Sequence, residues 1–327
     1  MASIRDVAQK AGVAVSTVSK VVNGYPNVSE ETREKVNGVV RELNFTPNTI
    51  ASALSSKRAG RVALLINQNT QAVDEVAMQY LSGAINRAQK EKLDVITVFF
   101  SMIRDREADD IIRYFQAQSI EGILIYGLSR DDGVLHELIG KQCFRVVAVD
   151  APFVNRNTSS VGIDHEWAQY EVAKKTILEN RGKRILYITG KKNGYVTKER
   201  MAGMWKLAQE EGLSLTVRRG DFSEKKAREL TFACAGDVDI IVCASDLMAI
   251  GAMRALQEMD IFRPVCGFDG ITLMGYAGKQ MNTVRQDFHG VSATAMEEMA
   301  RLLDGGEGRR ITTDYELVRM QYLDIIH

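Results

Sequence analysis

Apolar positions recur along this chain with two different periods, and the change of period divides it. Near the N-terminus Ile4, Val7, Ala8 and Ala11 stand at i, i+3, i+4 and i+7, one face of a short helix. Ser3 precedes them with Asp6 at the third helical position, an arrangement close to a capping box. Gly12 follows, where a tight inter-helix turn needs a residue that tolerates positive φ. Val18, Val21 and Val22 point inward from a second short helix whose outer face carries Val15, Ser16, Thr17, Ser19 and Lys20. A third helix is capped by Ser29 and places Glu30 and Glu31 at the positive end of its dipole. Its inner stripe is Val36, Val39, Val40 and Leu43, and Asn44 and Pro47 are expected to end it. Two short helices about a glycine turn form a helix-turn-helix, whose second helix fits the major groove of DNA. A structural three-helix accessory shares the same pattern.

From Arg61 onward short apolar runs alternate with amphipathic stretches. The expected strands are Val62–Ile66, Val95–Phe99, Gly122–Tyr126, Val146–Asp150, Ile185–Thr189, Leu215–Val217, Ile240–Ala244 and Val265–Phe268. Their continuous apolar character suits parallel strands buried on both faces, so the expected fold class is α/β, a doubly wound plan repeated twice. A polar, turn-rich linker is expected over Pro152–Gly162, and Tyr315–Asp324 is expected as a last strand crossing back after the loop marked by Gly305, Gly306 and Gly308. This places an all-α headpiece at 1–47, a hinge and linker at 48–60 and an α/β core at 61–327. The core divides into 61–155 with 289–312, and 156–288 with 313–327.

The formal net charge of zero argues against a nucleic-acid partner until the charges are counted by segment. Residues 1–58 hold eight Lys and Arg against five acids, a net +3, and the remainder balances at −3. The sign suits a DNA-facing N-terminal end. With no basic region before a continuous apolar run and no apolar stretch of about 18 residues, neither signal peptide nor membrane span is expected. Cys143, Cys234, Cys243 and Cys266 lack paired metal spacing and are expected as free, buried thiols of a cytoplasmic protein.

The wording of the N-terminal stretch is specific. IRDVAQKAGVAVSTVSKVVNG, then VSEETREKV, then FTPNTIASAL resembles the headpiece of the LacI/GalR family of bacterial transcription regulators, in register from Ile4 to Leu54. The resemblance implies DNA contacts by Ser3, Val15, Ser16, Thr17, Ser19, Lys20 and Asn23, and by Asn48, Ala51 and Leu54 of a short hinge helix. Leu54 matches the leucine that such hinges wedge into the minor groove, kinking the duplex. Three positions depart from the family. Ala14 stands in place of a capping serine, Ser52 in place of a hinge arginine, and Lys20 in place of an arginine able to grip guanine with a planar fork.

The body resembles the family's effector-binding core, which is similar to a periplasmic sugar-binding protein. The markers are VDAP, VGID, RMAG, GDFS, SDLMAIGAMRAL and GFDG. They imply a ligand cleft lined by Asp150, Arg200, Phe222 and Asp269, with Asp246 beside them. Asp150 and Asp269 each close a strand at its carboxyl end, where open α/β sheets bind ligands. Carboxylates accept hydroxyl hydrogen bonds, a guanidinium donates in a fixed fork, and an aromatic ring covers the apolar face of a sugar. The alternatives are a helix cap for Asp246, a surface position for Arg200 and a core position for Phe222. The family's Asn-Pro-Phe-Phe lid after the first strand is replaced by NQNTQAVDEVAMQY, which brings Asn67, Gln68, Asn69, Asp74 and Glu75 to that end of the cleft. The loop KKNGYVTK carries three lysines, which suits solvated charge or a phosphorylated or acidic sugar.

These features together lead to the expectation of a sequence-specific DNA-binding regulator, a ligand-responsive repressor of a carbohydrate-utilisation operon. It binds a palindromic operator as a homodimer, without a resident cofactor or metal, and takes a sugar or sugar phosphate as effector. The chain ends without leucine heptads, which favours a dimer over a tetramer. The alternative is a cytoplasmic sugar or sugar-phosphate sensor that acts with a co-repressor or as an activator. A solute-capture protein would need a signal peptide and no headpiece. An enzyme is not expected. GxSxG, GxGxxG, Walker and HExxH patterns are absent, and His136, His165, His289 and His327 are scattered.

Overall fold

The computed structural model describes residues 2–22, 27–43, 45, 60–67, 74–277 and 279–320. The chain forms two units, Met1–Ala59 and Gly60–His327. In the first, α1 (Ile4–Ala11), α2 (Val15–Val22) and α3 (Glu30–Glu42) enclose a small core of Val7, Ala8, Ala11, Val18, Val21 and Val36. The capping box is formed in full. Asp6 N–H donates to Ser3 Oγ at 3.3 Å, and Ser3 N–H donates to the Asp6 carboxylate at 2.7 Å. Gly12 takes φ 62°, a left-handed turn that closes α1 and sends the chain into α2. Ser29 caps α3 by accepting from Thr32 N–H. Asn23, Asn44, Pro47, the hinge residues Asn48, Ala51, Ser52 and Leu54, and Gln68 and Asn69 lie outside the described residues.

The second unit is built on two six-stranded sheets. In the first, β1 (Arg61–Ile66), β2 (Asp94–Phe99), β3 (Ile120–Tyr126), β4 (Arg145–Val149), β5 (Thr158–Gly162) and β11 (Arg310–Thr312) run in the order β11-β5-β4-β3-β1-β2, with every pairing parallel. The second holds β6 (Arg184–Thr189), β7 (Ser214–Arg219), β8 (Ile240–Cys243), β9 (Val265–Cys266), β10 (Met281–Gln286) and β12 (Tyr315–Met320), in the order β12-β10-β9-β8-β6-β7. Only β12 is antiparallel to its neighbour. Helices α4 (Asp74–Glu91), α5 (Ala108–Ala117), α6 (Gly133–Gly140) and α11 (Phe288–Leu303) cover the first sheet. The second is covered by α7 (His165–Asn180), α8 (Tyr195–Glu211), α9 (Glu224–Cys234) and α10 (Asp246–Glu258). At Gly83 of α4 a Cβ would lie 2.2 Å from the His289 carbonyl oxygen, so α11 packs on α4 at a distance only glycine permits.

Three strands were absent from the sequence expectation, and two of them are polar. β5 is TSSVG, the stretch expected as a linker, yet it sits buried between β4 and β11. Two of its three hydroxyls are satisfied inside: Ser159 donates to Glu298 at 2.7 Å and Ser160 to the Ala151 carbonyl at 2.7 Å, while the buried Thr158 hydroxyl makes no hydrogen bond. The first sheet therefore extends past the expected boundary at 155, and the first crossing to the second sheet follows Gly162. β10, MNTVRQ, buries Asn282, Thr283 and Gln286 against partners of their own. Of the four cysteines only Cys243 and Cys266 are buried, Cys234 is half-buried, and Cys143 is exposed. Among the described residues no helix is long and apolar enough to cross a membrane.

Candidate nucleic-acid interface and ligand cleft

Helix α2 has an inner and an outer face. Val18 and Val21 are buried, while Val15 (42% exposed), Ser16 and Lys20 are exposed and Thr17 and Ser19 half-buried. An exposed valine among hydroxyls and a cation gives nothing to the headpiece core and leaves a surface able to touch base edges and thymine methyls. Ala14 occupies the cap position, where its carbonyl accepts from Thr17 N–H at 2.9 Å and Val18 N–H at 3.2 Å, and its methyl supplies no side-chain acceptor. The Ser3 hydroxyl is engaged with Asp6, so Ser3 first serves its own helix.

Between the two sheets of the second unit lies a cavity of about 410 Å³. Asn67, Asp150, Arg200, Phe222 and Asp269 all line it, from the ends of β1, β4 and β9, from α8 and from the loop after β7. Asp150, Phe222 and Asp269 have φ of 55°, 59° and 125°. Such backbone is uncommon for residues with a side chain and costs about 1–3 kcal/mol each, a strain that concentrates at ligand sites. Gly190 and Phe222 account for each other, because a Cβ on Gly190 would sit 2.1 Å from the ring.

The polar groups of the cleft form one network. Asp150 accepts from Tyr80 Oη at 2.9 Å and from His165 Nε2 at 3.0 Å. Arg200, 4% exposed, donates to His165 Nδ1 at 3.4 Å, to the Ala244 carbonyl and to Asp269 at 3.5 Å. It also lies 3.6 Å from the Phe268 ring centroid, a cation–π contact in a buried setting. Gln286 Nε2 donates to Asp269 at 3.0 Å. Burial pushes the Asp150 carboxyl up, but His165, Tyr80 and Arg200 outweigh it and hold it below its usual range. Asp269 is raised to about 7, by burial first and then by the neighbouring carboxylates, which Arg200 only partly offsets. The cleft thus offers one firmly ionised acceptor and one poised near neutrality, with aromatic walls at Tyr80, Tyr126, Phe222 and Phe288.

Asp246 is a correction. It is fully buried and lies outside the cavity wall, and it does not cap a helix, since Ser245 caps α10. Its carboxylate accepts from Thr283 Oγ1 at 2.6 Å and from Gly270 and Ile271 N–H at 2.7 and 2.9 Å, tying β10 and the loop after β9 to α10. Asn67 lines the cavity, but its amide nitrogen is spent on Asp132 at 2.6 Å and on the Gly127 carbonyl at 3.2 Å. Sequence reasoning missed Tyr80, His165, Gln286 and the acidic pair Asp131 and Asp132. Asp164, the sequence neighbour of His165, takes no part in this network and caps α7. KKNGYVTK is a loop only as far as Gly194, since α8 begins at Tyr195; of its three lysines, Lys191 reaches the cavity wall, while Lys192 in the loop and Lys198 on α8 are exposed. Among the described residues no group of three or more His, Cys, Asp or Glu could hold a metal ion.

Comparison with known proteins places both units. Residues 3–48 match the model of bacterial regulatory proteins of the lacI family, and residues 69–307 match the periplasmic binding protein domain. Catabolite control protein A of Staphylococcus xylosus is 26% identical over 323 residues, 92% of each chain. The HTH-type transcriptional repressor PurR of Aliivibrio salmonicida (strain LFI1238) is 26% identical over 322 residues, 95% of each. Among solved structures, the lac repressor dimer bound to operator and the anti-inducer ONPF superposes with a TM-score of 0.83 at 23% identity, covering 98% of this chain and 99% of that one. The transcriptional regulator CelR in complex with cellobiose gives 0.71 at 25% identity, covering 98% and 100%. The chain belongs to the lacI family of bacterial regulatory proteins, a DNA-binding transcriptional regulator whose helix-turn-helix headpiece is joined to a periplasmic-binding-protein domain.

Proposed function

We propose that this regulator is a cytoplasmic repressor of carbohydrate-utilisation genes, binding a palindromic operator as a homodimer and responding to a neutral polyhydroxylated sugar in the cleft. The observation that carries the ligand class is the cavity wall, where four carboxylates (Asp131, Asp132, Asp150 and Asp269) face two cations, Arg200 and Lys191, among aromatic rings. Carboxylates accept from sugar hydroxyls and repel phosphate, and flat rings cover a pyranose face. Cellobiose in CelR and ONPF in the lac repressor occupy structures of the same fold. Ser3, Val15, Ser16, Thr17, Ser19 and Lys20, with Asn23, Asn48, Ala51 and Leu54, are the proposed DNA contacts. Asn67, Asp150, Arg200, Phe222 and Asp269 are the proposed effector contacts.

A dimer is supported by the exposed Met78 and Ile85, two turns apart on one face of α4, and by the exposed Phe99 at the end of the edge strand β2 and Met102 just after it. A sugar phosphate acting as a co-effector is the second reading, favoured by Lys191 on the cavity wall. A thermal-shift screen of neutral mono- and disaccharides against their phosphates separates the two. Stabilisation by a neutral sugar, lost in Arg200→Ala, supports the first reading, whereas stabilisation by phosphates alone replaces it with the second.

A further inference from the structure

The two segments that depart from the family pattern at the mouth of the cleft meet the opposite sub-domain. Glu75, in the first turn of α4, accepts from Thr272 N–H at 3.1 and 3.2 Å and from Thr272 Oγ1 at 2.6 Å. In the KKNGYVTK loop, the Asn193 carbonyl accepts from Arg130 N–H at 3.0 Å and Asn193 Nδ2 donates to Asp131 at 2.6 Å. Ser129 and Gly194 form an antiparallel bridge beside them. Tyr195 follows, its ring edge-on to Phe153 at 5.4 Å and its hydroxyl 3.3 Å from His136 Nε2.

We propose that these contacts are a two-point latch: Glu75 on Thr272, and Ser129–Asp131 on Asn193–Tyr195, hold the lips of the cleft together and open as one unit. The physical reason is rigidity. Glu75 and the 129–131 loop are carried by elements packed on the first sheet, and Thr272 and the 193–195 loop by elements of the second. Two stiff layers that part by hinge motion lose both contacts together, while independent surface loops would lose them separately. The first point is a charge-assisted hydrogen bond and the second a strand-like bridge with an aromatic wedge, so they differ in chemistry and can be broken one at a time.

Hydrogen exchange on the full-length protein without added sugar tests the latch independently of the effector reading. In Glu75→Ala, the segment around Thr272 and also the segment 127–133, whose Arg130 N–H belongs to the other point, should exchange about tenfold faster. Strand β3 should keep its protection, which verifies that the variant is folded. Asn193→Ala should produce the reciprocal effect at Thr272. If each variant speeds exchange only at its own contact, the two points are unlinked local contacts and the latch is overturned. Failure of the sugar screen with linked exchange would leave the latch standing and remove only the effector assignment.

Discussion

His165 donates from Nε2 to Asp150 at 3.0 Å and accepts at Nδ1 from Arg200 at 3.4 Å, so one buried imidazole joins the end of β4 in the first sub-domain to α8 in the second. It opens α7, directly after the first crossing of the chain, and is 1% exposed. Its removal leaves a buried carboxylate and a buried guanidinium each short of a partner. We predict that His165→Ala lowers unfolding stability by about 3 kcal/mol and weakens sugar binding at least tenfold. Denaturant unfolding and calorimetric titration measure the two effects. A variant with wild-type values for both would show that the bridge is incidental.

Asp246 and Asp269 flank the same loop and are predicted to separate fold from ligand binding. Asp246→Ala removes the acceptor of three buried donors, Thr283 Oγ1 and the N–H groups of Gly270 and Ile271, and should cost about 3–5 kcal/mol. Asp269→Ala should abolish sugar-induced stabilisation while lowering the melting temperature less than Asp246→Ala does, because it takes one partner each from Arg200 and Gln286 but also deletes a carboxyl whose charge is opposed by burial. Melting curves of the two variants with and without sugar decide the matter. Equal destabilisation would contradict the division of roles.

The pH dependence follows from the same residues. Asp269 is raised to about 7 and Asp246 to about 6, so between about pH 4 and 7 the folded chain keeps protons that the unfolded chain has released. Their contribution to stability is full below the unfolded carboxyl value and is lost as pH rises through this window. Asp150, held below its usual range, has the opposite sign and loses its contribution only in stronger acid. Asp269→Asn should therefore flatten the fall in stability towards pH 7. A variant profile parallel to that of the parent would refute the raised value.

In the headpiece, Ala14→Ser should restore the missing cap of α2 and raise its stability by about 1 kcal/mol, since the Ala14 carbonyl already starts the helix. Lys20→Ala should weaken DNA binding across sequences and reduce the slope of log affinity against log salt by about one if it meets a phosphate. Loss of discrimination with an unchanged slope would place Lys20 on a base edge instead. Anisotropy titrations at several salt concentrations distinguish these outcomes.

Much of this molecule was legible from periodicity, and the exceptions share a cause. The α1–α3 headpiece and the apolar strands β1, β3, β4, β6 and β8 follow from where valine, isoleucine and leucine stand. β5 and β10 were hidden because Ser159, Asn282 and Thr283 are buried through hydrogen bonds to residues far away in sequence, which no local pattern reveals. The cleft shows the same division. Asp150, Arg200, Phe222 and Asp269 sit in motifs, whereas Tyr80 lies 70 residues from the Asp150 it touches. Asp246 sits in a motif too, and only its surroundings reveal that its carboxylate holds the fold.

We infer that the headpiece, through its exposed recognition helix, directs this chain to one DNA sequence. The most direct test is selection of random duplex DNA on the purified full-length protein, followed by titration of the recovered sequence at two salt concentrations. A single palindrome is expected, bound as a dimer with a steep salt dependence and with an affinity that changes when the sugar that stabilises the cleft is added. Recovery of no consensus, with equal affinity for every duplex, would contradict it.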